Sequence, residues 1–137
     1  MADAPLTFRK EERICGKKSI SALLAGGRYS VEGAFRYCSM PSEGEMSRII
    51  VSVPKKMFRR AVKRNLMKRR IREAYRHQKN LLEGAPSEIM FIYNAKDPLP
   101  YDAVFTQVGN ILRHVAERTI RIKEKEGAKL PQEPNKN

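Results

Sequence analysis

Residues 61–76 read AVKRNLMKRRIREAYR, with seven Lys or Arg, one acid, and no Gly or Pro in sixteen positions. On a wheel of about 100° per residue, Met67, Ile71, Ala74, Tyr75 and Leu82 gather within about one third of the circumference. Asn65, Lys68, Arg69, Arg72 and Arg76 form an adjacent stripe, and Arg70 and Leu66 point to a third side. The spacing therefore predicts a long helix over roughly 58–82, closed by Gly84 and Pro86. Its apolar face docks on the rest of the domain and a basic ridge stays outside. Like charges at i, i+4, such as Lys68–Arg72 and Arg72–Arg76, each cost a few tenths of a kcal/mol. Only Glu73 offers compensation within a turn, so a sequence selected for helix stability alone would mix its signs more evenly.

The charge is local. Residues 55–79 hold twelve Lys or Arg against one acid, a net +11, whereas the rest of the 137-residue chain carries only +2 of the total +13. A field concentrated on one element implies an anionic partner, nucleic acid first and an anionic membrane surface second. From Asn65 to Arg76 the ridge spans about 17 Å, enough to meet several phosphates. Its arginines offer planar forks for phosphate and base edges, and Asn65 carries both a donor and an acceptor.

Outward from this segment, the chain length suggests one domain. KKSISALLAGG (17–27) reads as a short helix with Ser19 as N-cap and Ile20, Leu23 and Leu24 as its stripe. Residues 29–40 read as extended, PSEGE (41–45) as a turn, and SRIIVSV (47–53) as a strand, the two extended segments together forming a hairpin. EIMFIYNA (88–95) is a further apolar strand. A last helix runs from about Asp102 to Lys123 with Val104, Val108, Ile111, Leu112 and Val115 on one side. The expectation is an α+β single domain ordered helix, strands, long helix, strand, helix, with a four-stranded, mostly antiparallel sheet and a βαβ crossover. Residues 1–12 are expected to be a flexible arm, 13–123 the domain, and 124–137 a disordered tail.

Cys15 and Cys38 lack CxxC spacing and read as small apolar fillers in a reducing compartment. The N-terminus has no apolar signal region, and no run reaches the roughly 18 apolar residues of a membrane span, so a cytoplasmic protein is expected. No metal-ligand cluster or nucleophile motif is visible. His77 and His114 are isolated, and the carboxylates are scattered.

The run A61-V-K-R-N-L-M-K-R-R-I-R-E73 closely resembles the signature of the bacterial ribonuclease P protein component: Ala, then Arg-Asn, then a basic pair, an apolar residue and another Arg. F8-R-K-E-E-R-I14 resembles that family's lead-in, and I49-I-V-S-V-P-K-K56 its strand-and-lysine approach to the long helix. Two departures stand out. Leu66 replaces a second Arg after the Asn. Ile20 and Leu24 stand where the family's first helix commonly presents aromatics.

The resemblance implies an endoribonuclease holoenzyme that removes the 5′ leader of precursor tRNA by hydrolysis. Catalysis would belong to the RNA subunit and its bound Mg2+, with no catalytic residue on the protein. The protein, monomeric when free, would bind that RNA through Arg60, Arg64, Asn65, Lys68, Arg69, Arg72 and Arg76. It would hold the single-stranded leader in a cleft of Ile20, Leu24, Phe35, Ser52, Lys55 and Lys56, together with Tyr37, Val51 and Val53 of the sheet surface. Phe35 and Tyr37 share a face and either stack on bases or pack in the sheet core. The resemblance also implies a left-handed βαβ crossover. Two other readings remain: a structural RNA binder such as a ribosomal protein, and an amphipathic membrane-surface module, for which the apolar face is modest.

Overall fold

A computed structural model describes residues 12–14 and 16–129; residues 1–11, expected as an arm, Cys15, expected as a filler, and residues 130–137, expected in the tail, lie outside the described residues. The elements follow as α1 (Lys17–Gly26), β1 (Arg28–Glu32), β2 (Phe35–Pro41), β3 (Arg48–Ser52), α2 (Ala61–Gln78), a 3-10 turn (Lys79–Leu82), β4 (Ser87–Tyr93) and α3 (Tyr101–Lys129). They form the expected α+β fold around one four-stranded mixed sheet in the order β1-β2-β4-β3.

The order corrects the expected hairpin between residues 29–40 and 47–53. The hairpin lies within that first segment: β1 and β2 pair antiparallel, Glu32 opposite Phe35, around Gly33. Gly33 takes a φ of 57°, and a Cβ there would come within 2.6 Å of the Gln107 side chain, so this turn needs glycine twice over. β4 then inserts between β2, antiparallel, and β3, parallel. The physical reason is in β4 itself. Ile89, Phe91 and Tyr93 are buried on one face, and Met90 and Ile92 are half-buried on the other. A strand apolar on both faces gains most in the sheet interior, while β3 can leave Arg48 and Ser52 half-exposed at an edge.

α2 and α3 cover one face of this sheet. Phe35, Tyr37, Ile49, Val51, Ile89, Phe91 and Tyr93 meet Met67, Ile71, Ala74 and Tyr75 of α2 and Val104, Val108, Ile111, Leu112 and Val115 of α3. Both helical stripes are thus as the spacing predicts. Two boundaries differ. α2 ends at Gln78, and Leu82 reaches the same core from the 3-10 turn. Gln78 itself is buried and donates from Nε2 to Ala74 O (3.2 Å) and Phe105 O (2.9 Å), tying α2 to α3. Gly109 admits it, because a Cβ there would stand 2.4 Å from Gln78 Oε1. α3 runs on to Lys129, so residues 124–129, expected in the tail, are helical.

α1 lies on the other face, with Ile14, Leu23 and Cys38 in a small second core packed by Ile20, Met40, Ile50 and Met90. Its N-cap is Gly16, without a side-chain bond, and Ser19 falls inside the helix. The Cys38 thiol donates to Leu23 O (3.3 Å), as a small buried filler should. Glu12, expected in the arm, is buried and pairs with Lys79 (2.8 Å). Arg13 bridges Ile49 on the open edge of β3.

Ile71→Ala should lower the unfolding free energy by about 2–5 kcal/mol through the cavity it leaves. Gly109→Val should cost about 1–3 kcal/mol by overpacking the α2–α3 contact. Denaturant melts of the purified variants read both.

Candidate nucleic-acid interface

The buried stripe of α2 determines what faces outward. Arg60, Asn65 and Arg69 are exposed, as is Lys63, and Arg64, Lys68, Arg72 and Arg76 are half-buried. The first turn of α2 has neither a capping side chain nor an acid. The positive end of its dipole is therefore left to add to the cations around it.

The ridge residues do not all do the same thing. Arg64 Nη1 donates to Phe58 O and Arg59 O, both at 2.9 Å, and so ties the preceding loop to the helix. Phe58 of that loop is buried, stacked on Tyr93 at 5.8 Å. Arg76 is paired within the chain: its Nε reaches Glu73 Oε1 at 3.1 Å, and Glu73 Oε2 also meets His77 Nε2 at 2.9 Å. The hydrogen bond from Arg76, helped by His77, holds the Glu73 carboxyl below its usual range. Arg72 lines a small surface pocket together with Ile49, Ile50 and Val51 of β3 and with Arg13. Burial, with Arg13 adding to it, lowers its pKa from the ordinary guanidinium value. Arg70 donates to Leu99 O and braces the loop before α3. Free cationic character is thus greatest at Arg60, Lys63, Lys68 and Arg69 and least at Arg76.

The second half of the expected site needs correction. Phe35 is 0 % exposed, and its ring meets Tyr93 edge-on at 5.4 Å under α2 and α3. Tyr37, Val51 and Val53 are buried with it. The period of two puts these residues toward the helices and their neighbours outward. The open outer surface is a row across all four strands: Val31 opposite Arg36, Arg36 opposite Ile92, and Ile92 opposite Ser52. α1 covers the adjacent row at Cys38, Met90 and Ile50 but stops short of this one. Leu24, 38 % exposed, stands on α1, with Ile20 half-buried beneath it. Ser52 is half-buried, and Lys55 and Lys56 are exposed in the turn after β3.

Sequence reasoning missed the aromatic that this face does offer. Tyr29 is 46 % exposed, and the Arg36 guanidinium carbon lies 6.0 Å from its ring centroid. The signal was present in the alternation: once Gly33 is read as a turn, Tyr29 and Val31 fall on the side opposite Phe35. Among the described residues, no three His, Cys, Asp or Glu side chains are placed to hold a metal ion. Nor is any helix among them long and apolar enough to cross a membrane.

A cationic helix beside an uncovered sheet face, on a small basic α+β domain, defines a polyanion-binding module. The family model for ribonuclease P matches residues 8–116. The chain is 40% identical over 91 residues to the ribonuclease P protein component of Porphyromonas gingivalis, covering 62% of this chain and 66% of that protein. With that of Borrelia turicatae it shares 34% over 109 residues, 78% of this chain and 94% of that one. Among solved structures, the Staphylococcus aureus RNase P protein superposes with a TM-score of 0.66 at 24% identity, covering 75% of this chain and 94% of that one. The Thermotoga maritima RNase P protein gives 0.67 at 21%, covering 75% and 96%. The chain belongs to the bacterial ribonuclease P protein component family.

Because Arg64 holds loop carbonyls, Arg64→Ala should cost about 1–2 kcal/mol of stability. Asn65→Ala, at an exposed position, should stay within about 0.5 kcal/mol. Thermal melts compare the two. Glu73 has a folded-state pKa below its unfolded value, so its contribution is complete above the ordinary carboxylate range and fades as pH falls through the depressed value. Since Glu73 is largely exposed, the effect is screened and small. The midpoint difference between the parent protein and Glu73→Gln should shrink on acidification, and a difference that grows would reverse the sign.

Proposed function

We propose that this chain binds the catalytic RNA of ribonuclease P along α2 and helps the holoenzyme remove the 5′ leader of precursor tRNA. The observation that carries the reading is the two-sidedness of α2. Met67, Ile71, Ala74 and Tyr75 are buried, while Arg60, Asn65 and Arg69 stand exposed with Lys68 and Arg72 beside them. Such a row can follow a phosphate backbone, displacing condensed counterions as it binds. Asn65, between cations, supplies a donor and an acceptor for a base edge or sugar hydroxyl.

The leader, being single-stranded, suits the open outer row of the sheet. Ile92, Val31 and Leu24 offer apolar contact to bases, and Arg36, Lys55 and Lys56 offer charge to phosphates. With aliphatic residues at positions 20 and 24, ring stacking from α1 is absent, and Tyr29 is the aromatic available on that side. Mg2+ bound to the RNA would supply the activated water and stabilise the leaving oxygen. The chain's own part is to neutralise phosphate charge, to hold the leader strand extended, and to keep its register against the RNA.

At low Mg2+, adding the protein to a bacterial ribonuclease P RNA and a precursor tRNA should stimulate leader release. Absence of stimulation over RNA alone would reject the reading, and RNA binding without stimulation would favour a purely structural RNA binder. The affinity for the RNA should fall with salt at a log–log slope of roughly −4 to −7 for five to eight neutralised phosphates. Asn65→Ala combined with Arg69→Ala should abolish most of the stimulation with little change in melting temperature.

A further inference from the structure

The apolar stripe of α3 changes character where it continues. Val104, Val108, Ile111 and Val115 recur at helical spacing, and the same series carries on through Arg118, Ile122 and Lys125, with Arg121 at its side. Arg118 is half-buried, and Arg121 and Lys125 stand exposed beside it. With Arg28 at the start of β1 and the Gly26-Gly27 corner, they line an open cavity of about 670 Å3.

Among the described residues, no carboxylate lines that cavity and no ion pair involves Arg28, Arg118, Arg121 or Lys125. Arg118 is half-buried. Its Nη1 donates to Ser39 Oγ at 3.0 Å, and its Nε is buried without a hydrogen-bond partner. Burial first, then the neighbouring Arg28, lowers its pKa, and Arg121 adds to the same effect. The fold thus maintains a partly desolvated guanidinium among like charges, with no carboxylate paired to it among the described residues. Complementing the α3 dipole explains little of this, since that effect fades within the last turn. Arg118 lies eleven residues before Lys129, and Arg28 is on the sheet.

The position is separate from α2. α2 packs toward β3, whereas this cavity opens at β1, the opposite edge of the sheet. Arg118, Arg121 and Lys125 also lie past residues 8–116, the part matched by the family model.

We propose that this cavity is a second RNA contact, a cradle for a backbone phosphate in which Arg118 and Arg28 grip the phosphate oxygens and Arg121 and Lys125 flank the strand. The proposal rests on the reading that the chain works on RNA. The phosphate can belong to the catalytic RNA or to the precursor's leader, since both present the same diester.

The test is Arg121→Ala/Lys125→Ala, both exposed and off the core, against Lys96→Ala/Lys123→Ala, which removes equal charge from exposed positions that do not line the cavity. Binding to ribonuclease P RNA, and of holoenzyme to a precursor with a long leader, is measured across a salt series. The cavity variant should lose about tenfold in affinity and have a salt slope shallower by about 2. The charge control should lose less than about twofold. Loss already present with the RNA alone assigns the phosphate to it; loss only with the precursor assigns it to the leader. Equal behaviour of the two double variants, in a parent protein that binds RNA, overturns the cavity and leaves the broader function standing. A parent protein that binds neither RNA overturns both.

Discussion

The structure depends on the burial of one stripe of α2. Met67, Ile71 and Tyr75 each bring of order 1.5–3 kcal/mol of apolar transfer into the core. That outweighs the few tenths of a kcal/mol lost to each like-charge neighbour along the helix. Without that docking, a segment with seven cations and one acid in sixteen residues would have little reason to be helical. With it, the helix becomes a rigid carrier on which cations are held at fixed spacing. Tyr75 and Gln78 extend the same logic to α3, since Gln78 spans the two helices through the space that Gly109 leaves open. The charged surface is therefore organised from below, by residues buried in the core.

Periodicity made the helices legible, and the sheet was only partly so. The wheel over residues 61–82 and the stripe from Val104 to Val115 both name residues that are buried in the core. Strand order was not legible in the same way, because it depends on which strands are apolar on both faces. EIMFIYNA has that property and takes a central position, separating two strands that sequence proximity would have joined. Gly33, placed in the middle of an otherwise extended segment, marked a turn that composition alone hid among aromatics and β-branched residues.

The same distinction runs through the site. The exposed members of the basic ridge follow directly from the wheel, because helix phase decides exposure. The outer sheet face did not, because the alternation has two solutions until one knows which side the helices cover. Phe35 and Tyr37 were ambiguous for that reason, and their burial transfers the open row to Val31, Arg36, Ile92 and Ser52. Partner choice within the ridge was also beyond helix phase. Glu73 could have met any of several cations a turn away, and it takes Arg76 and His77. The first-turn arginine, Arg64, is spent partly on its own loop.

Placed together, these features distribute charge around the sheet. α2 stands at the β3 edge, the Arg28–Arg118 cavity at the β1 edge, and the uncovered row of the outer face runs between the two edges. Three strand spacings separate those edges, about 14 Å. That is more than a Debye length at physiological salt, so the two cationic surfaces repel one another little through solvent and would meet a polyanion as separate contacts. A small domain with one basic ridge could dock on RNA while leaving a second strand free. With cations at both edges and an open face between them, a strand crossing the sheet would meet charge on entry and on exit. Three acids are spent on single cations: Glu88 pairs with Arg48 and Glu12 with Lys79, while Glu73 quiets only the Arg76 end of the ridge.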